Sequence, residues 1–204
     1  MKNNSKWLLN TFKVILSILW YANIVLIVIA FSMLTWKFIT SNTIDLSIPV
    51  KYPLKAEIIK LAPVAPNIGP ITFKSDQGLL NMKVKNTVGQ MAMAYFFLIS
   101  LEILVMTILY QLRKLLESIK QNLPFKYDNV RRLRITALCF ASLTPLNILQ
   151  GLSTSMLLRA YVKDYGQMVW SESFIGLILG IVIYIMADIF KYGFELQKEN
   201  GEFV

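Results

Sequence analysis

Two carboxylates sit among apolar neighbours where an ionisable group is expensive. Glu102 lies inside "LISLEILVM", and Asp188 closes "IVIYIMAD". A charge in hydrocarbon costs about 2.5–3.5 kcal/mol on insertion scales, so such a group turns toward other helices or water. Glu102 therefore has two readings. One is proton or cation handling along a polar path that includes Asn147 and Gln150. The other is a protonated carboxyl hydrogen-bonding across helices to Asn147, Gln150 or Asn23. Asp188 is expected to pair with Lys191 or with an arginine of the 113–134 loop.

A second group of chemically active side chains is basic. "NLPFKYDNVRRLR", residues 122–134, brings Lys126, Arg131, Arg132 and Arg134 around a Pro124–Phe125 step, with Lys120 just upstream. Such a cluster serves nucleic acid, anionic lipid or a protein partner. Other chemistry is missing its residues. The 204 residues include no histidine and one cysteine, Cys139, so histidine acid–base catalysis and an intrachain disulfide are excluded. No phosphate-binding glycine loop, nucleophile elbow or metal-ligand spacing is present. The reading is of no enzyme, no catalytic residue, no metal and no cofactor.

The elements that position these residues follow from composition. The chain is 55% hydrophobic and 16% charged, against about 25% charged in soluble domains. Four stretches reach the roughly 20 apolar residues that cross a bilayer: about 11–36, 88–112, 135–158 and 170–190. Trp7, Trp36, Tyr110, Tyr161, Trp170 and Tyr192 lie near their ends, as interfacial anchoring predicts. The first run is too long for the apolar region of a signal peptide and has no small-residue cleavage site, so it reads as an uncleaved span. The expected fold is an all-α membrane protein of four transmembrane helices, forming one integral membrane domain.

Loop charge orients it. The 113–134 loop holds seven Lys and Arg, whereas the loop between spans three and four has Arg159 and Lys163. Both termini and the 113–134 loop are thus expected in the cytoplasm, leaving 38–87 outside. In that outer loop Ile44, Leu46, Ile48, Val50 and Tyr52 alternate with polar residues, a half-buried strand pattern. Pro49 suits an edge strand, "ITFKSDQGLLNMKV" reads as a hairpin turning at Asp76-Gln77-Gly78, and "APVAPNIGP" is irregular. A small β-rich subdomain between spans one and two is expected.

On the inner side, Leu112, Leu115, Leu116 and Ile119 continue span two as an amphipathic helix to about Asn122. Pro124 ends it, Phe125 tucks back onto an apolar surface, and Asp128 or Asn129 caps the next helix. Arg131, Arg132 and Arg134 fall at the lipid phosphates. The tail, 191–204, continues span four through Glu195 and Glu199, whose charges are expected to meet those arginines. Within the spans, Pro145 marks a hinge or a packing adjustment, and Gly176-x-x-x-Gly180 permits close helix approach within the bundle.

Two of these segments carry a resemblance. "LPFKYDNVRRLR" is similar to a Pro-Phe-x-x-x-Asn-x-x-Arg-Leu-Arg signature, and "ADIFKYGFELQKEN" to an Ala-acid-x-Phe-x-x-Gly-x-x-Leu-x-x-Glu ending. With four spans, the chain resembles the bacterial family named domain of unknown function 2975. It departs from that family's ending at "GEFV". The resemblance implies a small integral membrane protein with no catalytic residues, whose relatives are associated with small helix-turn-helix regulators. Three functions follow as expectations: a sensor or regulator that docks a cytoplasmic partner such as a small DNA-binding regulator, a transporter or channel subunit using Glu102, and a structural accessory subunit. The basic cluster faces a bilayer with anionic headgroups, so direct nucleic-acid binding is not expected.

Overall fold

A computed structural model describes residues 2–41, 43–51, 59–61, 71–73, 77–121, 124–161, 167–168 and 174–202. Four helices dominate: α1 (Lys2–Thr40), α2 (Val88–Lys120), α3 (Tyr127–Tyr161) and α4 (Ile175–Glu202). Each is long and apolar enough to cross a membrane. The helices outrun the apolar runs because α-helix continues into polar flanks wherever no breaker stands. α2 continues eight residues past 112, and α3 begins eight before 135. Residues 170–173, where the fourth span was expected to start, lie outside the described residues, and α4 begins at Ile175.

The exposed surface is what lipid solvation requires. Ile18, Tyr21, Val25, Leu26, Val28 and Met33 of α1 are all exposed, so the helix is apolar all round. Hydroxyls in these stretches do not compete for partners. Ser17, Ser32, Thr35 and Ser142 donate to the carbonyl four residues back, the arrangement open to Ser and Thr inside a helix. α3 runs unbroken through Pro145.

The chain divides into two compact units: residues 1–40, 88–149 and 172–204 in one, and 41–87 with 150–171 in the other. In the first, α1 and α2 are linked at three heights. Phe31 stacks on Tyr95 with centroids 5.3 Å apart while Thr35 and Tyr95 share a hydroxyl hydrogen bond. Asn23 meets Glu102, and the Arg113 guanidinium lies 5.5 Å from the centre of the Trp20 ring. α3 and α4 approach closely at two glycines. A Cβ added to Gly176 would come within 2.8 Å of the Phe140 carbonyl oxygen, and one on Gly180 within 2.8 Å of the Ala137 oxygen and 2.9 Å of the Ala141 nitrogen. Backbone meets backbone at both points, so only glycine fits without separating the helices.

In the second unit, β1 (Thr43–Lys51) pairs antiparallel with β4 (Gln77–Lys85) along its whole length, from Thr43↔Lys85 to Lys51↔Gln77. Ile48 and Val84 are buried, and Ser47 donates to Asn81 Oδ1 at 2.6 Å across the pair. β2 (Ile59–Leu61) pairs with β3 (Ile71–Phe73) in a separate ladder. β5 (Gln167–Met168) joins β1 at Val50 and Lys51.

Two expectations are corrected here. The 71–84 hairpin does not form: β3 pairs with β2, and β4 with β1. The physical reason is length, because β3 offers three residues and β1 offers nine with matching alternation. Pro49 is in the middle strand of the order β4-β1-β5 rather than at an edge. Among the described residues β5 pairs with Val50 and Lys51, and Pro49 pairs with Leu79 of β4. Among the described residues the strands thus make two separate sheets and not one β-rich subdomain. Asp76, part of the expected turn, Tyr52 and the "APVAPNIGP" stretch lie outside the described residues.

Candidate functional site

The densest polar construction joins the end of α2, the turn at 124–126 and the start of α3. The last turn of α2 closes with the Gln121 amide shared between the Glu117 and Ser118 carbonyls, and Pro124 prevents continuation. Helix restarts at Tyr127, so Asn129 stands in the first turn of α3 rather than at its cap. It is fully buried. Its amide nitrogen donates to Ser118 Oγ at 2.8 Å and to the Pro124 carbonyl at 2.9 Å, while its oxygen accepts from Arg132 at 3.0 Å. Only an amide side chain offers two donors and an acceptor at this length. Arg132 also donates to the Lys114 carbonyl of α2 at 2.9 Å, a second tie from α3 back to α2. Asn129 and Arg132 together tie three backbone segments into a fixed elbow.

α4 locks onto this elbow. Val130 and Leu133 of α3 and Ala187 of α4 are buried against one another, with Leu115, Ile183 and Phe190 packed around them. Phe125 lies against Phe190, centroids 5.5 Å apart, and its ring edge is where a Gly193 side chain would go: an added Cβ would sit 2.6 Å from Cδ1. Tyr127 meets Phe194 at 6.1 Å. One turn toward the membrane, Arg134 binds Asp188 at 2.9 Å and lies over the Tyr184 ring at 5.6 Å. Ala187, Asp188, Phe190 and Gly193 therefore engage Leu133, Arg134 and Phe125: the two sequence signatures interlock.

The clasp leaves an open groove of about 310 Å³ between elbow and tail, lined by Phe125, Lys126, Phe194, Gln197 and Lys198. Phe125 is 40% and Tyr127 58% exposed, and Leu196 is also exposed. Lys126 is 3.4 Å from Asp128.

The arginines do not meet the tail acids as expected. Glu195 pairs with Lys191 within its own helix at 3.5 Å, Glu199 is exposed, and Arg131 is exposed. Arg132 turns inward to Asn129 and Arg134 to Asp188. The cause is reach: Asn129 and Asp188 lie within a turn or directly across the α3–α4 contact, and an (i, i+4) pair satisfies Glu195 locally. Asp188 thus takes the loop arginine and not Lys191.

Glu102 has the third of its expected partners. Asn23 of α1 donates to its Oε1 at 2.7 Å, whereas Asn147 and Gln150 are exposed. Ser118 was not singled out from sequence and carried no sign there, whereas Ala187 and Gly193 are the small residues of the Ala-acid-x-Phe-x-x-Gly ending. No group of three or more His, Cys, Asp or Glu able to hold a metal occurs among the described residues.

A family described as Protein of unknown function (DUF2975) matches residues 3–204. No curated protein matches the chain, and no solved structure does.

Proposed function

The chain belongs to the family described as Protein of unknown function (DUF2975), and on that premise we propose that it is a docking protein of the bacterial cytoplasmic membrane. It is non-enzymatic and multi-pass, with both termini and the elbow in the cytoplasm. The 38–87 segment is outside and receives a signal there. The clasp holds a cytoplasmic protein, of the kind that the family resemblance names, a small DNA-binding regulator.

The supporting observation is the clasp itself. A loop whose sole task is to join two spans needs charge at the headgroups but no buried polar knot. Here a fully buried Asn129, an inward Arg132 and a ring fitted to Gly193 give the elbow and tail a fixed shape. Fixed shape lowers the ordering cost of binding a partner. The positive loop charge supports the orientation.

The test places a photo-crosslinking side chain at Tyr127, in native membranes. Docking predicts one crosslinked soluble DNA-binding protein, lost in Arg131→Glu. A correctly inserted chain that crosslinks to lipid alone would overturn it.

The transporter reading rests on Glu102, and its bond from Asn23 favours helix locking, since the carboxyl has a protein partner on the neighbouring helix. Unchanged ion flux in liposomes between Glu102→Gln and the parent chain would remove that reading; the accessory-subunit reading gains if neither flux nor a soluble partner is found.

A further inference from the structure

We infer that the groove between elbow and tail takes an acidic peptide segment with one apolar anchor side chain, an inference that rests on the docking reading above and specifies its partner surface. Two aromatic rings, Phe125 and Phe194, form the apolar floor, and the lining contains two lysines and no acid. The surrounding 113–134 stretch carries seven basic residues against two acidic ones and the tail side, 191–202, two against three, a local excess of four positive charges. A neutral apolar segment would leave this field unused, and a basic one would be repelled. An apolar side chain entering between the rings is the anchor, and Asp or Glu beside it meets Lys126 and Lys198.

Anionic lipid has the same charge but not the same place. The Arg134–Asp188 pair marks the level where α4 leaves the apolar run. Lys198 is ten residues further along the same helix, about 15 Å at the α-helical rise. The headgroup layer is only about 5–8 Å deep on each side of a bilayer. Gln197 and Lys198 therefore stand past the phosphates, within reach of a soluble segment. The rigid backing of Phe125 by Phe190 and Gly193 keeps the floor in place before binding.

The experiment uses the full chain in nanodiscs of zwitterionic lipid and a fluorescent glutamate-rich peptide bearing a single phenylalanine, read by anisotropy. The parent chain binds it, and affinity falls with added salt. Replacing the phenylalanine of the peptide by serine weakens binding by about tenfold or more. Lys198→Glu and Lys126→Glu weaken it similarly, and Gln197→Trp, which fills the groove from an exposed position, blocks it. Equal binding by the parent and all three variants, or no binding by the parent, overturns the inference. So does peptide binding that vanishes when anionic lipid replaces zwitterionic lipid while the variants retain lipid binding. The docking reading fails separately: a soluble partner crosslinked at Tyr127 but insensitive to Gln197→Trp keeps docking and removes the groove. Peptide binding without any native crosslink does the reverse.

Discussion

The ring of Phe125 occupies the space that a side chain at Gly193 would fill, with Cδ1 2.6 Å and Cε1 2.8 Å from where that Cβ would be. These residues are far apart in sequence, one in the turn after α2 and one deep in α4. The contact explains why a helix interior tolerates glycine, which costs about 1 kcal/mol relative to alanine there. Its loss on replacement is the most direct probe of the clasp.

Gly193→Ala is expected to destabilise the chain by about 1–3 kcal/mol, the usual result of overpacking, despite alanine's better helix propensity. Phe125→Ala removes the obstruction. Thermal unfolding in detergent should therefore show the double variant less destabilised than the sum of the singles, the signature of contacting residues. Additive losses would mean that the ring and the glycine do not meet.

Asn129→Asp preserves size but removes both donors, leaving the Pro124 carbonyl facing a carboxylate. A loss of about 1–3 kcal/mol is expected from unsatisfied buried groups, with faster proteolytic cleavage near the elbow. Asn129→Ala should lose a similar amount. If Asp were tolerated and Ala were not, size rather than hydrogen bonding would be what the site requires.

The two arginine contacts differ in worth. The Arg134–Asp188 side chains are 36% and 55% exposed, so Asp188→Asn should change stability by no more than about 1 kcal/mol, less in high salt. Arg132→Ala should cost more, because it strips a partner from buried Asn129 and from the Lys114 carbonyl. Denaturation midpoints at low and high salt distinguish the two.

Gly180→Val should separate α3 from α4, since the added atoms meet the Ala137 and Ala141 backbone. A marked loss of thermal stability with unchanged oligomeric state is the expected result. A change in self-association at constant stability would instead place this glycine in a contact between copies.

Glu102→Gln keeps an oxygen to accept the Asn23 bond, so stability in detergent should stay close to that of the parent. Glu102→Leu leaves Asn23 unpartnered and should cost about 1 kcal/mol. Equal stability of the Leu variant would show that the α1–α2 seam does not depend on this bond.

Some of this architecture was written in local residue order. Each span is solvated by lipid on its own, so a run of apolar residues is sufficient to place α1 to α4 without knowing any neighbour. The break at Pro124 and the alternation from Ile44 to Val50 are local in the same sense. Partner choice is not local. Whether Glu102 meets Asn23 or Asn147, whether β4 joins β3 or β1, and whether Arg132 faces Glu195 or Asn129 depend on side chains brought together from distant stretches. Several pairings were chemically equivalent on paper. Close backbone approach at Gly176 and Gly180, the fit of Phe125 to Gly193 and the buried donors of Asn129 chose among them, because distance and desolvation exist only in the packed chain.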